Sequence, residues 1–127
     1  MIFNIKQYAT LPILQLKLIR DGRNDYNDFY KKLENATVTF AMKDVASGRL
    51  QVANEEGMLL LKNGCNEMGQ KEYYIGYAFT QEDTEIPGIY CGEFKLIFLD
   101  DMSELITPIN EELQIHVIES FVKAKLN

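Results

Sequence analysis

The sequence predicts an all-β protein, an immunoglobulin-like antiparallel β-sandwich of about seven to nine short strands. Three observations predict it. Apolar and polar residues alternate with period two in run after run, the pattern of a strand that buries one face. The runs are separated by turn-forming residues at intervals of roughly 8–12 positions. Finally, 127 residues with 46% hydrophobic and 11% aromatic content suit one compact domain with a sizeable core.

The first strand is read in ILQLKLI (13–19), where Leu14, Leu16 and Leu18 share one face while Gln15 and Lys17 share the other. ATVTFAMKD (36–44) repeats the design with Ala36, Val38, Phe40 and Met42 inward. RLQVA (49–53) and EGMLLLK (56–62) read as a hairpin across NEEG. EYYIGYAFT (72–80) sets Tyr73, Ile75, Tyr77 and Phe79 on one face, and IYCGEFKLIFL (89–99) does the same with Tyr90, Phe94, Leu96 and Phe98. After the polar turn DDMSE and the short run LIT, a closing strand in LQIHVIES (113–120) turns Leu113, Ile115 and Val117 inward and Gln114, His116 and Ile118 outward. The expected core is drawn from Leu14, Leu16, Leu18, Val38, Phe40, Met42, Tyr77, Phe79, Phe94, Leu96, Phe98, Ile115 and Val117.

One segment departs from alternation. Tyr26, Phe29, Tyr30 and Leu33 fall at i, i+3, i+4 and i+7, one face of a helix. A short helix or helical turn near 25–33 is expected there, with an irregular loop that tucks these rings under the sheet edge as the equal alternative. The whole chain reads as a single domain, 1–127, with the sandwich over about 11–120, an N-terminal arm at 1–10 and a tail at 121–127. A small open barrel is the alternative architecture, disfavoured by the net charge of −6 and by the lack of basic residues interleaved with aromatics.

The stretch TQEDTEIPGIY (80–90) reads as a corner between two sheets. Asp83 and Thr84 are side chains that hydrogen-bond local backbone, Pro87 fixes φ, and Gly88 admits a positive φ. Tyr90 follows at the start of the next strand, where a tyrosine hydroxyl ties such a connection to its own backbone upstream. By parity Cys91 points away from Tyr90 and Phe94, so it is not an inter-sheet bridge, and free thiols are expected at Cys65 and Cys91.

LENATVTFAMKD, YYIGYAFTQEDTEIPGIYCGEFKLIF and ITPINEELQIHVIES, taken in this order, resemble the N-terminal domain family of phage baseplate upper proteins. The sharpest part of the likeness is Asp83, Thr84, Pro87, Gly88, Tyr90, Glu93 and Phe94, and the whole covers roughly residues 11–120. The resemblance implies an immunoglobulin-like module of a virion, assembled in the host cytoplasm, whose partners are other phage virion proteins and copies of itself. The segment NDYNDFYKK is longer than the turn expected of that pattern, and a stand-alone sandwich is expected to serve as a capsid accessory or decoration protein, or as a tail or baseplate attachment module.

The residues offer little to catalysis, which needs converging groups. The single histidine, His116, falls on an outward strand face. No glycine-rich phosphate loop or spaced calcium loop occurs, so no enzyme, cofactor, metal or small-molecule substrate is expected. No run of Lys or Arg exceeds the pair Lys31 and Lys32, which excludes the footprint a nucleic acid demands. The longest apolar run, MLLL at 58–61, is far short of the roughly 20 residues of a membrane helix. Apolar residues near the ends, Ile2, Phe3, Ile5 and Tyr8 with Phe121, Val122 and Leu126, are candidate partner contacts, with pairing of the N-terminal segment inside its own domain as the equal alternative. The alternative function is a carbohydrate-binding module with an aromatic platform drawn from Tyr74, Tyr26 or Tyr30.

Overall fold

The computed structural model describes residues 1–18, 33–65 and 71–121. Among the described residues nine strands form a β-sandwich: β1 (Ile2–Lys6), β2 (Leu14–Lys17), β3 (Ala36–Asp44), β4 (Leu50–Glu56), β5 (Met58–Cys65), β6 (Lys71–Tyr77), β7 (Gly88–Phe98), β8 (Ser103–Thr107) and β9 (Leu113–Ile118). The larger sheet has the order β1-β9-β7-β3-β4 with β8 also on β7, and the smaller has the order β2-β6-β5. Pairing is antiparallel except between β1 and β9, which run parallel.

Strand β7 is the spine of the large sheet. Along one edge it pairs with β3 from Tyr90 opposite Asp44 to Phe98 opposite Ala36. Its other edge is shared, since β9 covers Gly88–Gly92 and β8 covers Phe94–Phe98. β8 and β9 are thus two pieces of one path, with residues 108–112 looping out between them. The turn into β8 is held by Asp101, whose carboxylate accepts from the Ser103 hydroxyl at 2.6 Å and the Ser103 N–H at 3.0 Å.

Alternation becomes burial. Tyr90, Phe94, Leu96 and Phe98 of β7 are buried, as are Val38, Phe40 and Met42 of β3 and Leu113, Ile115 and Val117 of β9. From the small sheet come Leu14, Tyr73, Ile75 and Tyr77, joined by Leu18 and Phe79 just beyond the strand ends. Leu16 is half-buried against this core. At the centre, the Phe40 ring lies 4.7 Å from Tyr77, 4.9 Å from Phe94 and 5.9 Å from Phe79 (centroid distances), linking the two layers. Such ring pairs contribute roughly 0.5–1.5 kcal/mol each beyond the area they bury. Gly92 makes room for this ring: a Cβ there would lie 2.9 Å from Phe40 Cζ and 2.6 Å from Ile115 Cδ1.

Two expectations need correction. The hairpin read over 49–62 does not form: β4 pairs with β3 and β5 with β6, so the chain changes sheets between them. Gly57 makes this crossing, donating its N–H to the Val38 carbonyl at 2.8 Å, and a Cβ on it would stand 2.9 Å from the Gly76 carbonyl oxygen. The N-terminal arm is likewise no arm. Residues 2–6 are an integral strand whose Ile5 is buried, because β9 otherwise leaves a free edge that this segment can pair with. The sandwich therefore begins at β1 rather than near residue 11. The helix or turn expected near 25–33 lies outside the described residues apart from its last position, Leu33, which is fully buried.

Because Gly92 faces the central ring, Gly92→Ala is expected to cost about 1–3 kcal/mol through overpacking, read as a lower urea midpoint with the same slope.

Candidate functional site

The corner between β6 and β7 carries the densest set of side-chain hydrogen bonds, and its residues act on the backbone. The Asp83 carboxylate accepts from the Tyr77 hydroxyl at 2.6 Å and the Thr80 N–H at 2.9 Å, while the Asp83 N–H donates to the Thr80 hydroxyl at 3.2 Å. Thr84 is fully buried; its hydroxyl donates to the Ala9 carbonyl at 3.0 Å and its own carbonyl accepts from the Tyr8 N–H at 3.1 Å. Pro87 leads into Gly88, whose φ is +157°. Tyr90 then donates its hydroxyl to the Ile86 carbonyl at 2.6 Å, a tyrosine corner.

Burial, and after it the Asp83 carboxylate, hold the Tyr77 hydroxyl far above the ordinary tyrosine range. Burial also raises Tyr90, with Asp44 adding to it. Both rings are therefore neutral donors at physiological pH. They fasten the corner rather than supply a base.

The apolar residues near the ends divide sharply. Ile5 is buried in the core and Phe3 stacks on Phe79 with centroids 5.9 Å apart, so both pack within the sandwich. Tyr8 is half-buried with φ at +65°. Ile2 and Phe121 are exposed. Val122 and Leu126 lie outside the described residues.

The outer face of the large sheet carries several exposed aliphatic side chains. Asn4, His116 and Ile89 stand side by side across β1, β9 and β7, and Val45 follows, its N–H bonded to the Ile89 carbonyl at 3.0 Å. Ile89, Val45 and Ile118 are 48%, 54% and 42% exposed. His116 is held by Gln114, Nε2 to Oε1 at 3.0 Å. In the next row Gln114, Cys91 and Lys43 are aligned. Cys91 is free and half-buried, and burial followed by its hydrogen bond with Glu112 raises its thiol above the ordinary value, which makes it a poor nucleophile.

Sequence reasoning did not single out this face. The available signal was Ile118, an isoleucine at an outward position of β9, together with Ile89 and Val45 at outward or turn positions where polar residues are usual. Tyr74 lies on the outer face of the small sheet, half-buried, between Leu60 and Lys17 in register. Tyr26 and Tyr30 fall outside the described residues. Among the described residues no three His, Cys, Asp or Glu side chains come together as a metal site.

Two outcomes test the corner. Tyr90→Phe and Thr84→Val each remove a part-buried hydrogen bond and should each cost about 0.5–1.5 kcal/mol in denaturant titration. For Tyr77 the sign follows from its raised value. Up to about pH 10, the tyrosine value in an unfolded chain, its contribution is intact. Above that the unfolded chain gives up the proton first, so stability falls as pH climbs toward the folded value. Tyr77→Phe should flatten that alkaline decline, measured as melting temperature from pH 9 upward.

Comparison of the chain with family models and with characterised proteins finds no match.

Proposed function

We propose that this chain is a non-enzymatic structural component of a phage virion, an immunoglobulin-like module that packs against other virion proteins as a capsid accessory or as a tail or baseplate attachment module. The observation that carries this reading is the outer face of the large sheet. It presents the exposed side chains of Ile89 on β7, of Val45 bonded beside it just past β3, and of Ile118 two positions along β9 from His116; exposed apolar surface of this kind is characteristic of protein contacts. The likeness of residues 83–94 to a baseplate module supports the same reading. Its mechanism is burial of that face against a neighbour, with the corner keeping the two sheets in fixed relation so that the face is presented preformed.

The test targets the face, since removing residues 1–9 would remove β1 and its buried Ile5 with it. A chain carrying both Ile89→Lys and Ile118→Lys, positions exposed enough to leave the core intact, should retain its circular dichroism spectrum. It should enter particles at least about tenfold less, because two desolvated lysines oppose the contact. Incorporation at the original level would overturn the proposal.

A further inference from the structure

β1 has three properties that together define an exchangeable element. Among the described residues it is an edge strand, held through one ladder, the parallel one with β9. It carries its own anchor, Ile5, buried in the core, with Phe3 stacked on Phe79. It is also joined to the rest of the chain by a segment that belongs to neither sheet, because β2 lies in the smaller sheet. The clasp of Tyr8 and Ala9 onto Thr84 extends the docked unit to residue 9. Thr10–Ile13 is then the hinge.

That hinge has an unusual surface. All four of its residues are exposed, and two are aliphatic, Leu11 at 68% and Ile13 at 37% exposure. A four-residue segment spans up to about 13–14 Å when extended, enough to carry β1 away from its own sandwich. We propose that β1 is exchanged between two copies of this chain. Each β1 lies on the β9 of the other copy, and the two hinges cross at a two-fold axis where Leu11 and Ile13 meet their counterparts.

The argument for a second copy as the occupant is that no other partner reproduces the slot. The exchanged strand makes every contact of the closed one, from the β9 ladder to the Ile5 pocket and the Thr84 clasp, so the exchange itself is nearly neutral and the hinge contacts set its sign. Closed and exchanged forms differ by the cost of association and by the aliphatic surface that the crossing hinges bury. Exchange is independent of the virion reading, since it needs only the purified chain.

The test uses the register of Asn4 opposite His116, both on the outer face. Two variants, N4C and H116C, each in a chain with Cys65 and Cys91 replaced by serine, are mixed, warmed to permit exchange, cooled at high concentration and oxidised. A disulfide-linked dimer containing one chain of each kind is expected. Adding Leu11→Ser and Ile13→Ser to both chains should weaken dimerisation by about tenfold or more in sedimentation. The proposal is overturned if the mixture stays monomeric at every concentration. It is equally overturned by a dimer without the mixed disulfide, or by one linked N4C to N4C, which would place the free edges of β1 against each other. The doubly substituted single chain, N4C with H116C, must close its disulfide internally when dilute, which verifies the geometry of the pair.

Discussion

The fold depends on a missing side chain. Because residue 92 is glycine, the Phe40 ring can lie against β7 and still reach Tyr77 and Phe79 of the opposite layer. A sandwich core is about 10 Å thick, and one ring that touches both layers sets that spacing locally. The remaining inward residues fill the space on either side of it, Leu96 and Phe98 toward one end, Ile115 and Val117 toward the other. The Tyr77 hydroxyl reaches Asp83 only because its ring is held in this stack, so the corner inherits its geometry from the core.

The corner in turn sets the position of the N-terminus. Thr84 is buried because the chain at Tyr8 and Ala9 lies over it, and the hydrogen bonds between them join segments some 75 positions apart in sequence. Gln7 extends the same junction, donating its side-chain amide to the Glu85 carbonyl and accepting from the Ser120 N–H. The start of the chain, the corner and the end of β9 meet in one place. A turn that looked local in sequence organises three distant segments, and for that reason its most buried polar residue is a threonine that closes no turn of its own.

How much of this was legible in the sequence follows from which interactions are local. Parity is local, and the faces of β3, β7 and β9 followed from alternation alone, including the outward side of Cys91. The corner was legible because Asp83, Pro87 and Gly88 each impose a known backbone preference, whereas Thr84, expected to bond nearby backbone, bonds the distant Ala9 instead. Partner choice between strands is not local. RLQVA sits next to EGMLLLK in sequence, yet Gly57 sends them to different sheets, and nothing in the alternation of either run reveals this. The same holds for β1: five residues with mixed polarity carry a weak strand signal, and their place in the sheet is set by the edge that β9 presents. The outer face was missed for a related reason, since Ile89, Val45 and Ile118 come from three separate segments and share one face only through the order of β3, β7 and β9.

The shared edge of β7 has a consequence for how the molecule opens. Both flanks of β7 are occupied over nearly its whole length, whereas among the described residues β1, β2, β4, β5 and β8 each pair along one flank. Local opening frees the outlying strands long before it frees the middle one. Solvent deuterium should thus replace the amide protons of these outlying strands first and reach Phe94 and Leu96 only when the whole molecule comes apart, so the isotope clock of those two residues reads the global unfolding equilibrium of the protein.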